Sequence, residues 1–419
     1  MKSNMVSEGL EGPPRVPLWR NRDYMLLWSG QAVSLTGTVI SQTAFPLLVW
    51  DLTRSAAQVG LVGGLGTLPY VFLSLLAGAL VDRWDRKRVM ILCDTGRALN
   101  LVSVLAALML GHLTVLQLCI NALVEGTFFV FFNLSEVACL PRVVAREQLP
   151  AATAQNESTQ GITSLLGPLL GGALYGVRQA LPFVADAVSY AVSVCSLLFI
   201  KTKFQQERTQ ERRKLYIEIK EGLVWLWRQP LIRYMAFLTG GLNLVNAGFI
   251  PILVVLVKQQ HGSSLIYGVI LTIGGVGAIA GALLGTPIQK RFRFGTVIIS
   301  TVWVGALLWP LYAIAPDPII LGVITALSFI NGPIYNVVQF SYRLALIPDE
   351  LQGRVNSVFR LLAFGFQPLG WVVTGVLIQL ISVIPTILAL FVLYLVLAIL
   401  TTLNPHVRHA RPLSEVRTD

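Results

Sequence analysis

The chain has 419 residues, of which 54% are hydrophobic and only 13% charged, and its mean hydropathy is +0.68. An ordinary soluble domain is roughly 25% charged, and the apolar runs here are too many and too long for buried helices of a soluble protein. The formal charge of +11 shows no basic patch interleaved with aromatics and implies no nucleic-acid partner. Residues 1–23 carry Lys2, Arg15, Arg20 and Arg22 but no apolar segment, so no cleaved leader is expected and the first span is retained. Runs long enough to cross a ~30 Å hydrocarbon core are predicted near 24–50, 57–81, 89–111, 113–133, 152–178 and 180–200. After a polar interval they resume near 231–257, 265–289, 295–315, 318–340, 352–380 and 383–403. The connections at 111–113 and 178–181 are short enough to make tight antiparallel hairpins.

The charge distribution supports twelve spans. With the N-terminus in the cytoplasm, the segments 1–23, 82–88, 134–151, 201–230, 290–294, 341–354 and 404–419 hold nearly all Lys and Arg. The opposite side holds little beyond Arg54, Arg178 and Lys258. A wrong count would scramble this asymmetry downstream of the error. The expected product is an all-α polytopic membrane protein with 12 transmembrane helices in two pseudo-symmetric six-helix bundles. Its parts are a cytoplasmic N-terminal tail (1–23), an N-terminal bundle (24–200), a cytoplasmic linker (201–230), a C-terminal bundle (231–403) and a cytoplasmic tail (404–419). The linker turns amphipathic in "LYIEIKEGLVWLWRQP", which predicts a lateral helix at the headgroup boundary. Both termini are expected in the cytoplasm of a bacterial inner membrane.

The halves carry traces of duplication. Asn156 and Asn356 align at an offset of 200, as do Pro168-Leu169 and Pro368-Leu369, each at the fifth span of its half. Pro46-Leu-Leu-Val and Pro251-Ile-Leu-Val match in the first spans. Internal repeats of this kind mark secondary transporters.

Two motifs resemble the major facilitator superfamily. Between spans two and three, Gly78-Ala-Leu80-Val-Asp82-Arg83-Trp-Asp85-Arg86-Lys87 is similar to that family's G-x-L-x-D-R-x-G-R-(K/R), with Asp85 where the family has glycine. In span five, Gly161, Gly167, Pro168, Gly171 and Gly172 resemble the G-P-x-x-G-G motif of its drug:proton antiporter branch, whereas the arginine of the fourth-span motif is absent from 113–133. "DRWDRKR", "CDTGRAL" and "LPFVADAVSY" look like bacterial macrolide and siderophore exporters. The resemblance implies that spans one, four, seven and ten line a central cavity. It also implies that Asp82 meets the start of span eleven, near Gly353–Asn356, and latches the cytoplasmic face. Asp85 is then a second latch or a turn residue.

An ionisable group at the bilayer centre costs at least ~2.5–3.5 kcal/mol, so each is a functional candidate. Glu125 lies deep in span four with no basic residue in its own span, and is the candidate proton-coupling group; the rival reading is a hydrogen-bonded structural glutamate. Asn121 shares its face. Asp94 and Arg97, three apart in span three, are expected to pair with each other, and Asp94 also with the loop charges. With Arg360 and the loop motif they form the expected inner gate. Asp186 is read as structural or as an outer gate. Gln31, Ser34, Thr38 and Gln42 make a polar stripe on span one; Asn243, Asn246, Asn331, Tyr335, Asn336 and Gln339 add polar positions from spans seven and ten. With Phe128 they are the substrate-cavity candidates.

Other chemistries find no support. There is no phosphate-binding GxxxxGK[ST] loop and no nucleophile–base–acid constellation. The four cysteines form no CxxC pair and the four histidines lie at loops or in the tail, so neither metal nor cofactor is expected. The expected function is proton-coupled export of amphipathic small molecules by alternating access, by a monomer whose partners are a small-molecule substrate, protons and the lipid bilayer. The alternative is an importer or uniporter of the same fold.

Overall fold

The computed structural model describes residues 17–81, 83–202, 204 and 215–410, and among these every regular element is helical. The first half comprises α1 (Arg22–Thr53), α2 (Ala56–Val81), α3 (Arg86–Met109), α4 (Val115–Val143), α5 (Leu149–Val177) and α6 (Leu181–Phe199). The linker contributes α7 (Leu215–Arg228). The second half comprises α8 (Pro230–Ala247), α9 (Phe249–Gln259), α10 (Ser264–Arg291), α11 (Phe294–Leu308), α12 (Leu311–Ile314), α13 (Pro318–Leu346), α14 (Gln352–Gly365), α15 (Gln367–Ile381) and α16 (Val383–Leu403). A last short turn, α17 (Pro405–Arg408), follows.

Three expected spans are broken, all in the second half: the seventh is α8 with α9, the ninth α11 with α12, the eleventh α14 with α15. Each break precedes or contains a proline (Pro251, Pro310, Pro368) that lacks an N–H for the carbonyl four residues back. Eleven helical stretches among the described residues are long and apolar enough to cross a membrane. The expected twelfth is α5, whose 29 residues suffice in length but are diluted by the polar run from Thr153 to Gln160 and by glycines. Two spans outrun their expected ends because the extra residues face protein instead of lipid. α4 continues to Val143 with Ser135 and Cys139 fully buried, and α13 continues to Leu346 with the Arg343 guanidinium 3.9 Å over the Phe359 ring. Leu92, Leu99, Leu116, Leu283, Ile319 and Leu380 are exposed on the outer helix faces, where hydrocarbon is the compatible solvent. The hairpin after α3 turns at Gly111, whose φ of 71° is open to glycine and costly for most other residues.

The duplication is visible in the packing. In the first half α1 packs on α5 and α6, α2 on α4, and α3 on α4 and α6. The second half repeats each pairing: α8 on α14, α15 and α16, α10 on α13, and α11 on α13 and α16. The halves meet chiefly where α2 lies on α15 and α5 on α10, and the same half-exchange relates these two contacts.

Both contacts are made by glycines. A Cβ on Gly60 would stand 2.9 Å from the Gly375 Cα, and one on Gly268 would stand 3.2 Å from the Gly172 Cα, so only hydrogen fits between these backbones. These approaches lie at the end of the bundle away from the described chain ends. There the Lys258 ammonium donates to Asp51 at 3.0 Å, the Tyr175 hydroxyl donates to the same carboxylate at 2.9 Å, and Ser55 donates to Gln379 at 3.1 Å. At the opposite end, Gly78 of α2, Gly161 of α5 and Gly353 of α14 face open space. Among the described residues the halves are thus closed at one end and stand apart at these glycines at the other. On the parted side α7 lies along α14, with Glu221 paired to Arg354.

The ion pair at the closed end is only 24% and 15% exposed at its Lys258 and Asp51 side chains, so water screens it weakly. Lys258→Met should loosen this end. A cysteine placed at Ser55 in a cysteine-free background should then react with a membrane-impermeant maleimide about tenfold faster, the worth of one charge-assisted hydrogen bond. An unchanged labelling rate would deny the pair any role in closure.

Candidate functional site

The interior of the first half holds a closed ring of polar side chains. Arg97 of α3 is 2% exposed, and its Nε donates to Glu125 Oε1 of α4 at 2.7 Å. Its Nη2 donates to the same oxygen and, at 3.3 Å, to the Thr38 hydroxyl of α1. The Tyr190 hydroxyl of α6 donates to Glu125 Oε1 at 2.9 Å and lies 2.9 Å from the Thr38 oxygen. Since the Tyr190 proton is committed to Glu125, Thr38 donates to Tyr190, and the ring closes. The guanidinium also stacks on the Tyr190 ring, 4.3 Å from its centroid. Glu125 Oε1 thus accepts three donors, while Oε2 is buried with no hydrogen-bond partner. Two more carboxyls belong to the cluster. Asp94, fully buried, has Oδ1 3.9 Å from Arg97, and Asp186, 1% exposed, accepts from Ser41 and from Ser189.

This geometry corrects several expectations. Glu125 is not unpaired: the arginine missing from span four is supplied by span three. Arg97 serves Glu125 first and Asp94 at longer range, because its side chain reaches across to α4 instead of along its own helix. Asp94 pairs with none of the loop charges, and neither Asp94 nor Arg97 stands at an inner gate; both are bundle interior. The loop charges are tied elsewhere. Arg86 donates to the Ala138 carbonyl at 3.0 Å and Lys87 to the Ile200 carbonyl at 2.7 Å, while Arg83 is exposed. Asp85 is a turn residue: it caps α3, accepting from the Arg88 N–H at 3.0 Å, which a glycine there would leave to water. Asp82 and its latch lie outside the described residues. Arg360 is exposed, with its guanidinium 5.5 Å over the Tyr70 ring of the other half.

The span-five motif divides its labour. Gly167 lies against Val39 and Gly171 against Thr43 of α1, whereas Gly172 and the Pro168 carbonyl lie against Gly268 of α10. Gly161 faces open space. The same glycines therefore close the first half on itself and the two halves on each other.

Two cavities adjoin these elements. One, of about 550 Å³, lies between the halves and is lined by Gln42, Asn121, Glu125 and Phe129 from the first half and by Tyr267, Gln367 and Trp371 from the second. Glu125 is the one carboxylate or base on its wall. The other, of about 320 Å³, lies within the second half and takes Asn243, Asn246, Asn331, Tyr335 and Asn336, which the sequence pattern places with spans one and four around a single central cavity. Five cavity candidates lie outside both. Phe128 packs on Gly96 between α3 and α4, while its neighbour Phe129 lines the wall, since a one-residue step turns a helical side chain by about 100°. Thr38 is held in the polar ring, and Ser34 is buried on α1 beside it. Gln339 is buried on α13, and Gln31 has its amide nitrogen buried without a partner. Tyr190, Asp51 and Lys258 escaped the sequence reading. Asp186 and Tyr190, four apart on one helix face, were the available signal for the first.

Removing one member of a buried charge pair costs about 3–5 kcal/mol, because the survivor stays buried and unpaired. Arg97→Ala should therefore lower the thermal midpoint of the purified protein sharply, and Arg97→Ala with Glu125→Gln should recover part of the loss. A double variant no more stable than Arg97→Ala would show that the two side chains are not coupled.

Comparison with known proteins covers nearly the whole chain. A family model described as transmembrane secretion effector matches residues 14–415. The chain is 26% identical over 387 residues to the multidrug efflux pump Tap of Mycolicibacterium fortuitum, covering 89% of this chain and 93% of that protein. It is 25% identical over 370 residues to macrolide efflux protein A of Streptococcus pyogenes, covering 85% and 89%. In fold it resembles the crystal structure of the nucleoside transporter NupG, with a TM-score of 0.73 at 14% identity over 94% of this chain and 100% of that one. It also resembles a bacterial homolog of the human lysosomal transporter Spinster, solved inward-facing and occupied, with a TM-score of 0.75 at 13% identity over 95% and 99%.

Proposed function

The chain belongs to the transmembrane secretion effector family of the major facilitator superfamily, and from that premise we propose that it exports amphipathic small molecules in exchange for protons, by alternating access. As a member it is a multi-span transporter of the cell membrane, not an enzyme. Its efflux relatives argue for the outward direction of solute movement.

The observation that carries the proton reading is the asymmetry of the Glu125 carboxylate. Oε1 is saturated by Arg97 and Tyr190, and Oε2 is bare on a residue that lines the cavity between the halves. A proton arriving at Oε2 removes the negative charge without displacing any of the donors on Oε1. It weakens the attraction to Arg97, whose charge is then left to Asp94 and Asp186. Three carboxyls share one guanidinium, so a neutral cluster in hydrocarbon must carry protons, and a change in one occupancy alters the packing of α1, α3, α4 and α6 together. A solute carrying a cationic or donor group competes with the proton for the same oxygen. That competition is the elementary requirement of exchange.

With the termini cytoplasmic, the parted end faces the cytoplasm and the glycine-closed end faces outward. Solute then enters from the cytoplasm into the apolar cavity. Outward release requires the Lys258–Asp51 pair to part and the α2–α15 and α5–α10 seams to slide, while the ends bearing Gly78, Gly161 and Gly353 come together. Arg83 and Arg360, both exposed, stand on that side and are groups available to hold it shut.

In everted vesicles, an inside-acid gradient should drive uptake of a fluorescent lipophilic cation such as ethidium, and Glu125→Gln should abolish the gradient-driven component. Transport by Glu125→Gln at the full rate with unchanged pH dependence would exclude Glu125 as the coupling group. Uptake indifferent to the gradient in the unaltered protein would favour a uniporter of the same fold.

A further inference from the structure

The two cavities differ in chemistry, and the second-half cavity has no place in the proton exchange. Its polar wall is made of amides, hydroxyls and an indole; none of its lining residues is Asp, Glu, Lys, Arg or His. A charged group entering it would lose its hydration without a counter-charge, so its ligand is neutral. Asn243 and Asn331 each spend an amide N–H on a backbone carbonyl, of Ala363 at 2.7 Å and of Thr301 at 2.6 Å. Those bonds fix the two side chains and leave their carbonyl oxygens as acceptors. Asn336 exposes its amide in the wall. Trp309, which also lines the cavity, is 95% buried by its 5% exposure, yet its Nε1–H has no hydrogen-bond partner. A buried indole N–H normally has one.

The apolar part of the wall is equally specific. Phe249, Tyr312 and Trp309 form a run of aromatic neighbours with centroids 5.6 and 5.9 Å apart and planes inclined at 59° and 70°. Inclined rings make a corrugated wall with no parallel slot to sandwich a planar heterocycle. They suit a puckered ring that turns C–H bonds toward them and hydroxyls toward the amides. A cavity of about 320 Å³ accepts one such ring.

From this juxtaposition of fixed asparagine acceptors, an unpartnered buried indole N–H and inclined aromatic faces, we infer that the second-half cavity is a subsite for a neutral, hydroxyl-rich ring, a glycosyl group carried by the exported solute. The inference rests on the export reading only in taking the solute as cargo.

The test uses 4-methylumbelliferyl β-D-glucoside and, as its partner lacking the sugar, 7-methoxy-4-methylcoumarin. Both are neutral and fluorescent. Equilibrium binding is measured on the full-length protein in lipid nanodiscs, because maltoside detergents would present a competing sugar. The glucoside should bind about tenfold or more tightly than the methyl ether, as expected for two or three additional net hydrogen bonds. In Trp309→Phe, which keeps a ring and removes the N–H, and in Asn336→Leu, the preference should fall to about twofold or less, while the methoxycoumarin affinity is retained and reports an intact fold. Equal affinity of the unaltered protein for both probes, binding of neither, or a preference that survives in both variants would overturn the subsite. Binding needs no proton gradient. A protein that prefers the glucoside but fails to export refutes the transport reading alone, and one that exports without the preference refutes the subsite alone.

Discussion

The first half is organised around one electrostatic constraint: a guanidinium buried in the bundle interior, answered by a carboxylate that also lines the cavity between the halves. In hydrocarbon such groups persist only if every strong donor is answered, and the answer here comes from four helices at once. Arg97 from α3, Glu125 from α4, Tyr190 from α6 and Thr38 from α1 complete one ring. The helices of that half must therefore stand in one arrangement. A shift of any of them by a turn would strand a charge. The same constraint explains the small residues around the ring: Gly37 of α1 faces Ser189 and Asp186, and Gly96 of α3 faces Phe128, so that α1 and α3 can come close to α6 and α4.

The second half obeys the same packing plan with a different interior. Its pairings repeat those of the first, but where the first half places an arginine and three carboxyls, the second places asparagines, tyrosines and a tryptophan around an open cavity. Duplication kept the scaffold and divided the chemistry. The cluster of buried carboxyls stays on one side of the seam; the cavity lined by neutral hydrogen-bonding groups lies on the other. The seam itself carries few polar bonds, such as Ser55 to Gln379 and Thr272 to the Leu165 carbonyl. Glycine against glycine and glycine against Trp371 hold the halves by shape, and the Lys258–Asp51 pair adds a bond that can be broken.

Much of the fold was legible because hydrocarbon imposes length and side-chain polarity at once. Span number followed from apolar run length and from the sidedness of Lys and Arg, and the glycines of span five announced close packing. Which neighbour each glycine meets was not legible: Gly171 turns to α1 and Gly172 to α10 because consecutive helical residues diverge by about 100°. Arg97 was assigned to Asp94 because helical spacing shows contacts within a helix and is silent about contacts between helices. The same silence hid Tyr190 and the cross-half pair of Asp51 with Lys258, which are 207 residues apart in the chain. The four asparagines of spans seven and ten stand out in apolar helices without any knowledge of packing, but not that they line a cavity within the second half, apart from spans one and four.

The three interrupted spans have a mechanical consequence. Every span of the first half is one continuous helix, even where Pro46, Pro69, Pro141 and Pro168 lie within it. The interruptions at Gly248, Trp309–Pro310 and Phe366 all fall in the second half, and each breaks the regular helical ladder within its span. Compliance is thus unequal. The first half is braced by its ring of buried side chains, and the helix breaks lie in the second. A conformational cycle built on this chain would not be two rigid blocks rocking as mirror partners; the half with the interrupted spans would bend while the half braced by the charged ring holds its form.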